Sequence, residues 1–163
     1  MTDTFPHDAD KRVADFGIEL PPPPSPLGAY VEAVRTGNLL FLSGTLPVLD
    51  GRPHYRGRLG VELDTDQAWS ATRLAALNAL AVAKDHLGSL NRISRVVRVG
   101  VILATCGDSP DVPNLPRVAD AASELFLEIF GAETTSVRTV YGVATLPLGV
   151  PVVLDVIFEV RAQ

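Results

Sequence analysis

Apolar side chains recur at helical spacing in two long stretches of the chain. Within Thr65–Leu87, Ala68, Ala71, Leu74, Ala75, Leu77 and Ala81 share one face. Asp64 before them, with Gln67 three positions on, reads as a reciprocal N-terminal cap, and Gly88 as the stop. Asn78 falls on the same face and is expected to make a polar core contact. Within Leu115–Phe130, Leu115, Val118, Ala119, Ala122, Leu125, Phe126, Ile129 and Phe130 line one side, and Gly131 closes the run. A shorter helix is expected over residues 8–16, ended by Gly17 and held down by Val13 and Phe16.

Elsewhere the period is two. Residues 96–104 set Val97, Val99, Val101 and Leu103 on one face of a strand. Residues 30–35 and 39–43 flank Gly37-Asn38, a two-residue hairpin signal, whereas residues 45–63, rich in Gly, Pro and Arg, read as a loop. Near the C-terminus, strand-like residues 137–144 and 150–160 are joined by Thr145-Leu146-Pro147-Leu148-Gly149, which predicts a second hairpin. Pro21 to Pro24 impose an extended segment, so residues 1–26 form an arm laid against the domain or a loose tail, and residues 27–163 form the domain. The order strand, strand, helix, strand, helix, strand, strand implies an α+β layer with two helices packed on one face of a mixed sheet. In the last strand Val152, Leu154, Val156 and Phe158 point one way while Val153 and Ile157 point the other, so both faces are apolar. Helices cover one face; a second subunit is expected on the other.

Composition narrows the chemistry. At 163 residues there is room for one domain, and a hydrophobic content of 47% with mean hydropathy of +0.22 again favours a homo-oligomer. A net charge of −5 and a pI of 5.1, with basic residues scattered, argue against a nucleic-acid surface. Cys106 is the single cysteine, expected as a half-buried structural thiol, and His7, His54 and His86 show no metal-ligand spacing, so neither a metal nor a disulfide framework is expected. No apolar stretch reaches the ~18 residues that cross a bilayer, and the first residues lack the basic start and apolar core of a signal peptide. The expectation is a cytoplasmic protein without a membrane partner.

Arg138 stands alone in the apolar run 136–160. A guanidinium carries its charge at any working pH, so it needs either an internal carboxylate or an anionic ligand. Pairing with Asp155, or an exposed edge position, is the plain alternative to a ligand role.

Three segments carry a resemblance. They are Gly28-Ala29-Tyr30-Val31 leading into Gly37-Asn38-Leu39-Leu40-Phe41-Leu42-Ser43-Gly44-Thr45-Leu46-Pro47; Ala71-Thr72-Arg73-Leu74-Ala75-Ala76-Leu77-Asn78-Ala79-Leu80; and Val137-Arg138-Thr139-Val140 with Leu146-Pro147-Leu148-Gly149-Val150-Pro151-Val152. In this order and spacing they make residues 21–160 similar to the RidA/YjgF family, in its longer branch often labelled endoribonuclease L-PSP or chorismate-mutase-like. The resemblance implies a chorismate-mutase-like fold, a homotrimer whose sheets form a central barrel, and a ligand cleft at each subunit interface. It also implies hydrolysis of small carboxylated enamines or imines to a keto acid and ammonia, a deaminase reaction needing no cofactor. By the same resemblance Arg138 grips the substrate carboxylate, and Tyr30 and Ser43 line the cleft.

Three positions depart from the family. Val153 stands where deaminating members have the carboxylate that activates water, and valine neither accepts a proton nor holds water. Val140 replaces the cleft cysteine, and Asp120 the helical asparagine. Asp155, two residues beyond Val153 on the same strand face, is a candidate replacement for the missing catalytic group, as is Asp120; local pairing is the alternative for each. Four functions therefore compete: an imine or enamine deaminase, a non-catalytic module binding a small carboxylate metabolite, a ribonuclease, and a structural trimer in which Asp155 or Asp120 satisfies Arg138. The acidic composition, with neither a His pair nor an aromatic stacking platform, argues against the ribonuclease.

Overall fold

The computed structural model describes residues 8–107 and 114–162; His7 lies outside them. Among the described residues the elements run α1 (Ala9–Asp15), β1 (Ala33–Thr36), β2 (Leu39–Leu42), β3 (Val48–Leu49), β4 (Arg52–Pro53), α2 (Thr65–Leu87), β5 (Ile93–Ala104), α3 (Leu115–Phe130), β6 (Val137–Val143) and β7 (Val152–Val160). The fold is α+β and of the chorismate-mutase-like kind: α2 and α3 lie on one face of the sheet, as expected, and the short α1 packs against α3. Both long helices begin and end where their caps dictate. Asp64 and Gln67 form the reciprocal cap and Gly88 ends α2 in the left-handed region; Gly131 ends α3. Asn78 is buried and donates to the carbonyls of Leu46 and Val48 at 2.8 and 2.9 Å, tying α2 to the loop before β3. Of the residues expected to hold α1 down, Val13 is buried but Phe16 is 59% exposed.

Five strands form one mixed sheet in the order β1-β2-β7-β5-β6. The 12-residue β5 is its spine, parallel to β6 and antiparallel to β7. This corrects the second hairpin, because β6 and β7 do not pair. The crossover through α3 lays β6 parallel on one side of β5, so β7 takes the other. The turn chemistry of Pro147–Gly149 is real, with Leu148 and Gly149 at φ 58° and 69°. It carries the chain over the end of β5, where Thr105 N–H bonds Val143 O and Ala104 N–H bonds Pro151 O, each at 2.9 Å.

Residues 45–63 hold more than a loop. β3 and β4 pair around Asp50-Gly51, whose φ values of 50° and 72° suit a tight hairpin turn; the Asp-Gly dipeptide is its sequence signal. In β5, register shifts at Ile93/Arg95 and Val96/Arg98 turn Val96 onto the helix side, where it is buried, in place of the expected Val97. The core between sheet and helices includes Phe126, Phe130 and Phe158, with ring centroids 5.9 to 6.5 Å apart.

Among the described residues no helix covers the opposite face of the sheet. One row crosses all five strands there: Val34, Phe41, Ile157, Arg98 and Val137. Val34, Phe41, Val137 and nearby Tyr141 are exposed. In the middle Arg98 and Asp155 form an ion pair at 3.5 Å. Gly100 makes room for it, since a Cβ at 100 would come within 3.2 Å of Asp155 Cβ.

Candidate functional site

Arg138 lies on β6, at one edge of the sheet, in register with the fully buried Val99, so its side chain leaves the strand on the helix side. There Nη1 donates to Asp120 Oδ1 at 2.7 Å and to Ser123 Oγ at 3.1 Å. Asp120 and Ser123 are three residues apart on α3 and therefore share a face. The contact uses one amino group of the guanidinium. Its Nε and Nη2 have no protein acceptor among the described residues. The pair is not deeply buried, the side chains of Arg138 and Asp120 being 26% and 46% exposed. Beside the arginine lies a hollow rich in hydroxyls, lined by Ser123, Thr134, Thr135 and Ser136 with Phe126 as an apolar wall. Val140, two positions along β6, points the same way and packs on the core.

Asp155 is elsewhere. It projects from the uncovered face and pairs with Arg98, so of the two internal partners considered for Arg138 it is Asp120 that meets it. Both candidate catalytic carboxylates thus have a guanidinium partner.

Tyr30 and Ser43 belong to the other edge. A cleft between the Pro-rich segment, the start of β1 and α2 is lined by Pro24, Leu27, Tyr30, Glu32, Ser43, Thr45, Leu46 and Val82. Two of its polar groups are fixed by the backbone: Tyr30 Oη accepts from Leu27 N–H at 3.0 Å, and Ser43 Oγ donates to Val31 O at 2.5 Å. Val153 borders Gly44, where an added Cβ would lie 2.9 Å from Val153 Cγ1, so the close approach of β2 and β7 at this point needs glycine. Between Ser43, at the end of β2, and Arg138, on β6, stand β7 and β5. Three interstrand steps come to about 14 Å. The expected site residues therefore divide into two groups within one chain: Arg138, Val140 and Asp120 at the β6 edge, Tyr30, Ser43 and Val153 near the β1–β2 edge. Sequence reasoning missed Ser123, signalled by its spacing from Asp120, and Glu32, two residues beyond Tyr30.

A helix-backed mixed sheet closed by a strand–helix–strand crossover, with an arginine at one edge, defines a chorismate-mutase-like domain. The chain belongs to the family described as "YjgF/chorismate mutase-like, putative endoribonuclease", whose model matches residues 10–160. It is 36% identical over 147 residues to Protein TCP17 of Trypanosoma cruzi, covering 90% of each chain. It is 29% identical over 144 residues to the 2-iminobutanoate/2-iminopropanoate deaminase of Dermatophagoides farinae, covering 88% of this chain and 95% of that one. Among solved structures it resembles a protein of Shewanella oneidensis MR-1 described as a putative endoribonuclease, at TM-score 0.85 and 32% identity, over 93% of this chain and 99% of the other. No helix among the described residues is long and apolar enough to cross a membrane.

Proposed function

We propose that this protein binds a small carboxylated metabolite in a cleft between subunits of a homotrimer, Arg138 gripping the carboxylate and Tyr30 and Ser43 of the adjoining subunit lining the opposite wall. The observation that carries this reading is the partly exposed edge guanidinium, anchored through Nη1 with Nε and Nη2 left as a fork. A fork of two parallel donors matches a carboxylate bidentately. The homotrimer is supported by the uncovered row Val34, Phe41, Ile157, Arg98 and Val137, whose apolar members are costly to leave in water. Hydrolysis of imines or enamines is the chemistry suggested by the deaminase from Dermatophagoides farinae. Val153 weakens that suggestion, and Asp120 and Asp155 are each held by an arginine, so binding is the firmer part of the reading. Ribonuclease action is poorly supported by a chain of net charge −5.

One observation favours a second reading: the Asp120 contact at 2.7 Å makes Arg138 a structural ion pair as well. The two readings separate on Arg138→Ala. A partly exposed pair contributes about 0–1 kcal/mol, because water rehydrates what remains, so the variant should melt within a few degrees of wild type. It should lose the stabilisation that millimolar pyruvate or 2-oxobutanoate gives the wild type, and Arg138→Lys should recover part of it. A large fall in melting temperature for Arg138→Ala, with no carboxylate shift in the wild type, transfers the arginine to the structural reading.

A further inference from the structure

The cleft at the β1–β2 edge holds a carboxylate that the reading above leaves unused. Glu32 is half-buried, lines the same cavity as Tyr30 and Ser43, and its side chain has no hydrogen-bond or ion-pair partner among the described residues. Its backbone is fixed, since Glu32 O accepts the Ser43 N–H at 2.8 Å. The neighbouring hydroxyls have settled polarities. Ser43 Oγ gives its proton to Val31 O, and Thr45 Oγ1 gives its own to Ser43 O at 3.2 Å, so both present lone pairs alone. Tyr30 Oη accepts from a backbone N–H, which leaves its proton as a single donor. Among the described residues no Lys or Arg lines this cavity. Its wall therefore offers the acceptors of Ser43 and Thr45, the hydroxyl protons of Tyr30 and Ser25, and the negative charge of Glu32.

Such a wall discriminates between ligands of the same size. A keto oxygen has no proton to give: it satisfies Tyr30 or Ser25 and leaves Glu32, Ser43 and Thr45 facing an acceptor. An ammonium or iminium nitrogen brings the donors that Glu32, Ser43 and Thr45 can accept from, and the charge that the wall lacks. From this geometry we infer that Glu32, with Ser43 and Thr45, is the specificity-determining group for the nitrogen of the ligand, so that the site selects 2-amino or 2-imino acids over the corresponding 2-oxo acids. The inference rests on the reading that Arg138 of one subunit faces this cleft of the next. The carboxylate of the ligand then meets the cation, and its nitrogen meets the anion.

Calorimetric titration of the intact protein with 2-aminobutanoate and 2-oxobutanoate tests it. These ligands share a carbon skeleton and a carboxylate and differ in the group on C2. The wild type should bind the amino acid at least about 10-fold more tightly, the range expected for a hydrogen bond between ligand and a charged group. Glu32→Gln should bring the two affinities within about 2-fold by weakening the amino acid alone, and Glu32→Asp should restore part of the preference. Thermal melting of both variants reports on the fold. Equal wild-type affinities, or a Glu32→Gln protein that loses both ligands or melts well below wild type, overturn the role of Glu32 while leaving Arg138 standing. Wild type that binds neither ligand overturns both assignments. Arg138→Ala that binds both as before overturns the shared cleft.

Discussion

The two edges of the sheet are built to opposite electrostatic plans. At β6 a guanidinium is steadied by an aspartate and a serine from α3 and keeps donors in reserve. At the start of β1 a glutamate and two hydroxyls present acceptors, with the protons of Tyr30 and Ser25 among them. On the proposed reading the two edges are complementary, the spare donors of Arg138 facing the carboxylate of a small zwitterion and Glu32 its nitrogen. The strands standing between them within one chain mean that such a pairing would take two copies.

Preventing assembly is the largest perturbation available. Phe41 sits inside the row that crosses the uncovered face and is 39% exposed in the single chain. Light scattering of the wild type should give a mass near three times the 17.4 kDa chain, without a folded monomer on dilution. Phe41→Glu sets a charge between Val34 and Ile157 in that row, and burying it unpaired would cost several kcal/mol. The variant should run as a monomer and lose carboxylate binding by more than about 100-fold although Arg138 is untouched. A wild-type monomer that binds ligand as tightly would show that one edge suffices.

The next effect concerns chemistry at the joined site. Val153→Glu restores a carboxylate at the position where deaminating relatives, by resemblance, carry one. Val153 is 9% exposed and packs against Gly44, so the longer side chain should lower stability by about 1–3 kcal/mol. If the missing water-orienting group is all that limits hydrolysis, ammonia release from 2-iminobutanoate should rise at least about 10-fold above the wild type, a modest part of what a positioned base supplies. Robust ammonia release by the wild type would place the catalytic carboxylate elsewhere. Asp155→Asn and Glu32→Gln would then show which one it is.

The sequence made the helices easier to read than the sheet, for a physical reason. Asp64, Gln67, Gly88 and Gly131 act within a turn of their own helix, so local chemistry sets both ends of α2 and the end of α3. Strand order depends on contacts far apart in the chain. Pro147 and Gly149 specify that the chain turns and are silent about β5 coming between the strands they connect. The site divides in the same way. Arg138 was legible because a charge in an apolar run must be compensated, yet its partner was not: Asp155 and Asp120 are both plausible by spacing, and the register of β6 on β5, which decides the face, is long-range information. Glu32 was invisible because an acidic residue at the start of a strand is ordinary until the cleft beside it is seen. The cores of α2 and α3 carry the same lesson: the predicted stripe of α3 is almost all buried, whereas on α2 the burial extends to Ala76, Ala79, Leu80 and Ala83, since that helix is pressed by both the sheet and α3.

The smallest expected effect is a control on the independence of the edges. Asp10 fastens α1 to the turn after α2: its N–H donates to Asn91 Oδ1 at 3.0 Å, Ser89 Oγ donates to its Oδ2 at 2.5 Å, and the Lys84 ammonium lies 2.9 Å from its Oδ1. Partial burial pushes the Asp10 carboxyl upward, but the Ser89 hydrogen bond and the Lys84 charge outweigh it and hold the group below its ordinary value of 3.8. A carboxyl depressed in the folded state binds its proton more tightly when unfolded. Its contribution is therefore complete above pH 3.8 and is lost as the pH falls through the lower folded value. Asp10→Asn should cost about 1 kcal/mol at neutral pH and remove that part of the acid sensitivity, as read from urea midpoints across the acid range. Amide exchange should quicken in α1 while α2 and β5 stay protected, and affinity for 2-oxobutanoate should not change. Weakened ligand binding in this variant would mean that the anchored helix, acting through the Pro21–Pro24 segment that borders the cleft, holds the Tyr30 edge in shape; the two edges would then differ in rigidity as well as in charge, with the acceptor edge dependent on a support that the arginine edge does without.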